Sequence, residues 1–590
     1  MRSPLRIFKS QIGKAFKHPR INQRFVEWFT FMVSHPQGFG TLRYLFKRSR
    51  WYYLVLAHVQ GKQGDHRAAF RTLMLGQRVA PNEALIHIKL SAIHRDNVNI
   101  SGAHTHLRIA EMLKPGYSTI RRLTFEMDQQ MYEEGSRTLD LALTLAPQLL
   151  AVHLPILNRV SIYYPSHTPR LVEFRRVLAD GLRNAIYQTE DELSQAVSIA
   201  ISSRWLRVAL EITKRTELEL APLVRERLDR LEKNLGGYLP MLDMAWENET
   251  SSTIRAQVRG TAYTLTEVED QGMKTVELFI PPAVFDYPKD EKQTHETIRR
   301  TFFQIISILM ERSDLAIVPR MQLDWRQCFP KTRGRIISYH TRAPFDPTRI
   351  HVQEAPLAGY CTFDHAGFAG FASTATDHSE INRFVADITD EALETNHQEM
   401  ITRFVDANVS KYSQSGDSGP LPTNYVFVAL QVSTDVVAQL GFMTGMELLE
   451  GVVKHYRGTG TRVVVKRHPF CRSMKVQESL DRWEAQGDII RSNSSIHGIL
   501  KNAQVVFTIN SGVGLEALMH EKTVIVGGSC DYCYAARVAN NRDELSQILA
   551  GNLAPDRKRI REFLYFFTQR FAVPATDSTG IRLRLAEWLA

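Results

Sequence analysis

The amino-acid sequence predicts an α-helical repeat region followed by two α/β domains, each built on a parallel, Rossmann-like sheet. Apolar residues follow a helical period from about residue 50 to 240, and a helix–turn–helix segment recurs along this stretch. From about residue 425, short runs rich in Val and Ile alternate with amphipathic helical segments. Strand–helix units of this length are typical of a parallel sheet with helices on both faces.

Length and composition agree with this organisation. The chain has 590 residues, of which 44% are hydrophobic and 23% are charged, so we expect several soluble globular domains. No window approaches the run of about 18 apolar residues that a membrane-spanning helix needs. The five cysteines are scattered, and the one CxxC pair, Cys530 and Cys533, has no second pair to complete a zinc site. We therefore expect a cytoplasmic protein without a bound metal.

The first segment, residues 1–49, is basic and amphipathic. Residues 1–50 contain eleven Lys and Arg against one acidic residue, Glu27, and so carry a charge equal to the whole net charge of +10. Aromatic residues such as Phe16 and Trp28 recur at a roughly helical spacing, which is typical of a helix on an anionic membrane surface. A packed first helix with a solvated basic face explains the pattern equally well. Nothing beyond residue 50 supports nucleic-acid binding.

Residues 50–240 form the predicted repeat region. Pro81 and Pro115 are 34 residues apart, and Pro147 follows after a further 32. The segment WYYLVLAHVQGKQGDHRAAFRTLMLGQRVAP has small residues where helices would cross, Gly-Asp at the turn and a proline after the second helix. This pattern resembles a tetratricopeptide (TPR) repeat. Such a solenoid binds protein partners or braces a neighbouring domain.

The remaining sequence divides into two predicted α/β domains, residues 245–420 and 421–590. The β-rich runs VELFIPP and LAIVPR are followed by YVFVALQ, RVVVKRH, QVVFTIN and TVIVGG, with helical segments between them. Two facing domains of this kind bind a ligand in the cleft between them, at the carboxyl ends of the strands.

Polar residues follow four successive predicted strands of the second domain. They are the groups Gln431–Asp435, Lys466–Pro469, Asn493–His497 and Thr508–Gly512. Because the carboxyl ends of parallel strands meet at one edge of a sheet, we expect these groups to line the same rim. The last group passes directly from strand to helix, which is a common phosphate-binding arrangement and also an ordinary β-to-α turn.

The rim has the side chains that bind a phosphorylated nucleotide, namely cations, hydroxyls and backbone N–H groups. The candidate nucleotide-binding residues are Lys466, Arg467, His468, Pro469, Ser495, Asn510, Ser511, Gly512 and Glu516. Pro469 would fix the preceding imidazole, Ser495 would cap its helix or donate to phosphate, and Glu516 would accept from ribose hydroxyls or lie exposed on its helix. No P-loop and no Asp-x-Asp cluster occurs, so we expect neither a metal nor a cofactor to be required.

Two short motifs carry a resemblance to a known family. His468-Pro469 followed by Asn510-Ser511 resembles the HP and serine motifs by which bacterial GT-B sialyl- and Kdo-transferases bind CMP-sugars. The segments VALQVSTD, VVVKRHP and SSIHGILKNAQVVFTINSGVGLEALMHEKTVIVGGSCDY resemble the capsule polysaccharide biosynthesis family, which includes retaining β-Kdo transferases. The likeness extends upstream to SYHTRAP and HVQEAPLAGYCTFDHAGFAGFAS, so it covers roughly residues 330–540. It implies an α/β GT-B fold, with two facing Rossmann-like domains.

The resemblance also implies roles for individual residues. His468 would contact the CMP phosphate, assisted by Ser511 and Ser495. Asp435 matches the aspartate of the family's Q-x-x-x-D segment and is the candidate catalytic nucleophile, and Glu354 is the candidate acid/base or acceptor-orienting group. Retention by two displacements requires two such carboxylates on opposite sides of the cleft. Asp435 as a helix N-cap and Glu354 in a buried ion pair are the alternatives.

The implied function is a glycosyltransferase that moves Kdo or a related acidic sugar from a CMP-sugar donor to a lipid-linked or oligosaccharide acceptor of a bacterial surface polysaccharide. We expect it in the cytoplasm, with residues 1–49 holding it at the inner membrane and the TPR-like region available to a protein partner. Departures from the family at Cys361, Phe368, Phe371 and residues 520–522 leave the sugar and the acceptor open. The alternatives are a UDP-sugar-dependent protein or glycan glycosyltransferase, and a non-catalytic TPR scaffold with a GT-like domain.

Overall fold

The computed structural model describes residues 50–146, 149, 160, 164–203, 205–250, 253–285, 293–321, 334–411, 420–432 and 435–590. The predicted basic segment 1–49 lies outside this described part, as do Pro147 of the repeat and Ser433 and Thr434 of the first polar group. None of the helices in the described part combines the length and the hydropathy that a membrane span requires.

The described chain begins with three helical hairpins, which confirm the TPR-like repeat. Their helices are α1 Arg50–Lys62, α2 His66–Val79, α3 Ala84–Asp96, α4 Ile100–Leu113, α5 Tyr117–Asp128 and α6 Tyr132–Leu145. The hairpins begin at Arg50, Ala84 and Tyr117, close to the spacing that the prolines predict. Gly76 lies where α1 and α2 cross, since a Cβ there would be 2.7 Å from the Cβ of Tyr53.

A second group of helices precedes the sheets. It comprises α7 Thr168–Asn184, α8 Glu190–Ser202, α9 Leu206–Lys214, α10 Pro222–Leu235 and α11 Leu239–Thr250. The guanidinium carbon of the buried Arg175 lies 5.0 Å from the ring centroid of Trp205 and 4.8 Å from that of Trp246. These cation–π contacts link α7, the start of α9 and α11.

The first sheet is mixed, which corrects the predicted parallel sheet of this domain: short antiparallel strands, too short to show a sequence period, extend it at both edges. Its strands are β1 Arg255–Val258, β2 Thr261–Thr264, β3 Lys274–Ile280, β4 Leu315–Met321, β5 Arg335–Tyr339, β6 Arg349–Glu354, β7 Tyr360–Asp364 and, from the chain's end, Ala572–Pro574 as β14. Their spatial order is β14-β7-β6-β5-β3-β4-β1-β2. β4, β3, β5 and β6 are parallel, and the outer strands pair antiparallel. The accompanying helices are α12 Leu265–Asp270, α13 Pro282–Phe285, α14 Gln293–Met310, α15 Ser379–Val385 and α16 Asp390–Met400.

The second sheet is parallel throughout. Its strands are β8 Tyr425–Ala429, β9 Arg462–Lys466, β10 Ile490–Arg491, β11 Val505–Thr508, β12 Thr523–Val526 and β13 Arg537–Val538. Their order is β10-β9-β8-β11-β12-β13, which is the Rossmann order and reverses between β8 and β11. β8, β11 and β12 are buried along their length, which explains their nearly continuous apolar sequences. The helices are α17 Gly445–Tyr456, α18 Met474–Ala485, α19 Ile496–Asn502, α20 Val513–Met519, α21 Arg542–Ala550, α22 Arg557–Phe566 and α23 Ser578–Leu589.

The end of the chain returns to the first sheet, which corrects the predicted assignment of all residues from 421 to 590 to the second domain. β14 pairs antiparallel with β7, with Val573 opposite Cys361. Arg335 on β5 donates to the main-chain carbonyl of Trp588 on α23. A strand of three residues is too short to show a period-two pattern, so the sequence did not predict this pairing.

The two sheets meet through loops at the carboxyl ends of their strands. A Cβ on Gly512 would lie 3.0 Å from the Cβ of Pro356, which follows β6. A Cβ on Gly370 would overlap the carbonyl oxygen of Ser529, whose hydroxyl donates to the Gly370 carbonyl at 2.9 Å. A TPR-like helical region followed by two α/β domains that meet at their strand ends confirms the predicted GT-B fold class.

Candidate active site at the junction of the two sheets

Asn510 and Gln431 join the two central strands of the second sheet at the point where the strand order reverses. Gln431 Nε2 donates to Asn510 Oδ1 at 2.7 Å, and the Asn510 N–H donates to Gln431 Oε1 at 3.2 Å. Asn510 Nδ2 also donates to the carbonyls of Val437, at 2.7 Å, and Ser529, at 3.0 Å. These protein contacts occupy the Asn510 amide, so its contribution to the candidate site is to position three loops around Ser511.

Ser511 and Gly512 form a partly exposed step between two buried segments. The residues of β11 before them and those of α20 after Val513 are buried, whereas Ser511, Gly512 and Val513 are not. The Tyr532 hydroxyl donates to the Ser511 carbonyl at 2.5 Å and so fixes the backbone of this loop. This step is therefore partly exposed at the junction of the sheets.

His468 lies in a tight turn directly after β9. The Cys471 N–H donates to the His468 carbonyl at 2.9 Å, and Pro469 occupies the second position of this four-residue turn. The Phe470 N–H donates to His468 Nδ1 at 3.1 Å. Since Nδ1 accepts, the neutral imidazole carries its proton on Nε2. Burial lowers the pKa of His468, against the opposing effect of the Asp435 carboxylate, so the ring is neutral near pH 7.

Asp435 is exposed and close enough to His468 to influence its pKa. Its Oδ1 accepts from the Val437 N–H at 3.0 Å, which stabilises the turn before a short 3₁₀ helix. The predicted alternative, an N-cap of the following α-helix, is wrong, because Thr444 caps α17 with a capping box completed by Glu447. The Asp435 carboxylate therefore lies in the exposed loop after β8 and does not cap α17.

Lys466 and Glu516 bring opposite charges together beneath the rim. Lys466 Nζ donates to the Ser494 carbonyl at 2.5 Å, and burial lowers its pKa while Glu516 opposes this shift. Glu516 on α20 is buried, so the alternative of an exposed helical glutamate is wrong. Burial raises the pKa of Glu516 to about 7, with the Ser410 hydroxyl and Lys466 acting in the opposite direction. Within the described residues, Glu516 Oε1 has no hydrogen-bond partner.

Ser495 and Arg467 complete the predicted nucleotide-binding set. Ser495 Oγ accepts from the Gly498 N–H at 3.1 Å and is the N-cap of α19, as one of its two predicted roles required. Arg467 lies between the end of β9 and His468 and is partly buried.

Glu354 ends β6 in the first sheet and is buried. The Tyr339 hydroxyl donates to Glu354 Oε1 at 2.9 Å, and Lys411 Nζ donates to the Glu354 carbonyl at 3.2 Å. No ion pair of the Glu354 carboxylate occurs among the described residues, and the tyrosine holds it instead. Two residues further on, Pro356 lies against Gly512, so β6 ends beside the serine loop.

Residues 409–411 also belong to the candidate site, and sequence reasoning missed them. His497 Nε2 donates to the Val409 carbonyl at 3.0 Å, Ser410 hydrogen-bonds to Glu516, and Lys411 contacts Glu354. Three consecutive residues thus link both sheets. The sequence contains no signal for this, because the stretch lies in a predicted connection without a motif.

Carboxylates and thiols also lie near the junction. No group of three or more His, Cys, Asp and Glu residues in the described ranges has the arrangement to hold a metal ion. Cys530 and Cys533 have their sulfur atoms 3.2 Å apart and are buried. Burial raises the pKa of the neighbouring Asp531 to about 6, and Lys411 opposes the shift.

The fold and this rim define a protein with the two-domain GT-B architecture. Residues 417–537 match the family model described as capsule polysaccharide biosynthesis protein. The matched stretch contains the HP motif and the serine loop, so the predicted resemblance is confirmed there, while residues 330–416 lie outside the match. Comparison with curated proteins gives no match.

Three solved structures are similar to this chain at low sequence identity. The Thermosulfurimonas dismutans KpsC β-Kdo 2,7 transferase is 14% identical and covers 53% of this chain and 99% of its own, with a TM-score of 0.32. The β-Kdo 2,4 transferase of the same KpsC is 14% identical, covering 54% and 98%, with a TM-score of 0.33. A mutant of the Thermobaculum terrenum O-GlcNAc transferase is 13% identical, covering 91% and 96%, with a TM-score of 0.30. Because each TM-score is below 0.5, the fold assignment rests on the topology of the sheets themselves.

Proposed function

We propose that the protein is a glycosyltransferase that transfers Kdo or a related acidic sugar from a CMP-sugar to a bacterial surface polysaccharide intermediate. The observation that supports this most is the fixed turn at His468, which holds a neutral imidazole at the same sheet edge as Ser511. Both residues lie in the stretch that matches the capsule polysaccharide biosynthesis family.

In this proposal the donor's phosphate binds at the rim of the second sheet. Lys466 and Arg467 supply positive charge, the neutral imidazole of His468 donates a hydrogen bond, and Ser511 with Ser495 adds hydroxyl and backbone groups. Glu516 is a buried acceptor for a ribose hydroxyl. Side chains alone balance the phosphate charge, so the proposal requires neither a metal nor a cofactor.

The proposed chemistry uses one carboxylate from each sheet. Asp435 attacks the anomeric carbon, the bond to the phosphate oxygen breaks, and CMP leaves with a hydrogen bond from His468 to its phosphate. Glu354, held by Tyr339, then takes the proton from the acceptor hydroxyl as that oxygen displaces Asp435. Two displacements return the original anomeric configuration.

The acceptor in this proposal is a lipid-linked or oligosaccharide intermediate. Residues 1–49 would hold the protein at the inner face of the membrane, where such acceptors are anchored, through their basic and apolar residues. The helical hairpins would bind a protein partner or brace the α/β part.

The test is the melting temperature of the full chain with CMP, UDP, GDP and ADP at equal millimolar concentration. A ligand present at about a hundred times its Kd stabilises the folded state by roughly 2.7 kcal/mol. We expect a shift with CMP that is lost in His468→Gln and kept in His455→Gln, since His455 is exposed on α17. A shift with UDP alone would contradict the CMP-sugar donor and indicate a UDP-sugar-dependent glycosyltransferase. No shift with any nucleotide would favour the non-catalytic TPR scaffold.

A further inference from the structure

Arg342 follows β5 at the junction and stacks on an aromatic ring. It is partly buried, and its guanidinium carbon lies 4.2 Å from the ring centroid of Phe371. Within the described residues, no carboxylate lies at ion-pair distance and no acceptor receives a hydrogen bond from it. Arg349, the next arginine in the chain, is by contrast paired with Asp346 at 2.9 Å. A guanidinium that stacks on a ring through its face keeps its N–H edge for a ligand.

The backbone around this pair is strained, and buried contacts hold it. His340 and Ala369 have φ angles of +53° and +48°, which are unfavourable for residues other than glycine. The rings of His340 and Phe368 lie edge to face, with centroids 4.2 Å apart. Thr341 Oγ1 is hydrogen-bonded to His351 Nδ1 at 2.7 Å. Strain of this kind persists only where the surrounding structure imposes it. The contacts of His340 and Thr341 therefore fix the loops that carry Arg342 and Phe371.

Arg342 and Phe371 lie on loops that adjoin the segments bearing the two candidate catalytic carboxylates. β5 and β6 are adjacent parallel strands, so Arg342 leaves the first sheet at the same edge as Glu354. Gly370, next to Phe371, packs against Leu440, which ends the short helix after Asp435. Arg342 therefore lies on the first-sheet side of the junction, and the loop of its partner Phe371 packs against the segment that follows Asp435.

We propose that Arg342 is the binding residue for an oxyanion of a substrate, either the carboxylate of the transferred sugar or a phosphate of the acceptor. The proposal rests on the proposed function for the nature of these groups. A planar guanidinium binds both anions through two parallel hydrogen bonds. In a 2-ulosonic acid the carboxylate is bonded to the anomeric carbon, so holding it would orient that carbon towards Asp435. An aldose lacks this group, and Arg342 would then select acidic ketoses.

The test is a ligand-observed NMR titration of the full chain with free Kdo, its neutral methyl ester, and glycerol phosphate. We expect one anion to bind Arg342→Gln roughly tenfold to hundredfold more weakly than the wild type, with an intermediate loss in Arg342→Lys. The matched control is Arg121→Gln, because Arg121 also stacks on an aromatic ring, that of Tyr117, but lies in the helical hairpins.

The outcomes separate the two sources and the two proposals. Arg342-dependent binding of Kdo but not of its ester identifies the sugar carboxylate, and Arg342-dependent binding of glycerol phosphate identifies an acceptor phosphate. Unchanged binding of both anions in Arg342→Gln, or no binding of either to the wild type, would overturn the subsite. The CMP-induced melting shift is measured on the same samples. If the wild type shows no CMP-induced shift, the proposed donor is contradicted, but the anion titration can still be interpreted. The melting temperatures without ligand show whether each variant folds.

Discussion

Gln431 and Asn510 hydrogen-bond to each other in both directions across the two strands between which the second sheet reverses its order. Ligands of open parallel sheets bind at such a reversal point. The pair therefore sets the distance between the Asp435 loop and the Ser511 loop, and the candidate site depends on it.

Replacement of this pair should show strong coupling. Asn510→Ala removes one donor from each of the Val437 and Ser529 carbonyls and the acceptor of Gln431 Nε2, and it should destabilise the protein by roughly 2 kcal/mol. Once Asn510 is lost, Gln431→Ala removes little further, so the double variant should lower the melting temperature by less than the sum of the single variants. Asn552→Ala, on an exposed loop, should add to Gln431→Ala in full. Full additivity of Gln431→Ala and Asn510→Ala would contradict the coupling.

Glu516→Gln should stabilise the unliganded protein at pH 8 and not at pH 5. The folded-state pKa of Glu516, about 7, lies above its ordinary value of 4.5. The contribution of this group to stability is thus complete below pH 4.5 and is lost as the pH rises through 7. Removing the buried negative charge should gain on the order of 3 kcal/mol at pH 8, read as a higher melting temperature. Glu450→Gln, at an exposed position on α17, is the control and should show no such pH dependence.

His520→Asn should flatten the loss of stability in acid. Burial lowers the pKa of His520 to about 3, and His497, 3.0 Å away, adds to this shift. Since the folded pKa lies below the ordinary 6.5, the contribution of His520 is present above pH 6.5 and is lost as the pH falls towards 3. We expect the variant to lose roughly 1–2 kcal/mol less than the wild type between pH 7 and 4.5, measured by urea unfolding. An equal effect of His455→Gln, at an exposed site, would exclude this explanation.

Much of this organisation was predictable from local sequence patterns. The prolines near positions 81 and 115 marked the hairpins, and the apolar run of β8 marked a strand buried on both faces. The rim followed because polar residues come directly after such strands. The contacts that complete the site were not predictable, since they join residues far apart in the chain. Asn510 meets Gln431 across 79 positions, and Lys411 meets Glu354 across 57.

Glu516 shows the limit of pattern reading within one short helix. A charged residue on a seven-residue helix is ordinarily expected at the surface. Here α20 is buried by neighbours on every side after its first residue, and Tyr532 packs so closely that a Cβ on Gly514 would overlap it. The burial of Glu516 therefore follows from tertiary packing that no local period records.

Tyr339→Phe should slow sugar transfer without changing nucleotide binding. The variant removes the hydroxyl that donates to Glu354 Oε1, so the carboxylate loses its fixed orientation towards the acceptor. We expect a roughly tenfold lower kcat with CMP-Kdo as donor. The KM for the donor and the CMP-induced melting shift should stay unchanged. Tyr263→Phe, on β2 of the same sheet, should leave kcat unchanged. A loss of CMP binding in Tyr339→Phe would show that this residue serves the donor instead.

The most direct measurement is the mass of the full chain after incubation with CMP-Kdo in the absence of an acceptor. The proposed double displacement predicts release of CMP above the rate of a protein-free blank and the mass gain of one Kdo residue on the peptide that contains Asp435. Asp435→Asn should show neither change while keeping the CMP-induced melting shift. An unchanged wild-type mass together with CMP release no faster than the blank would contradict the account.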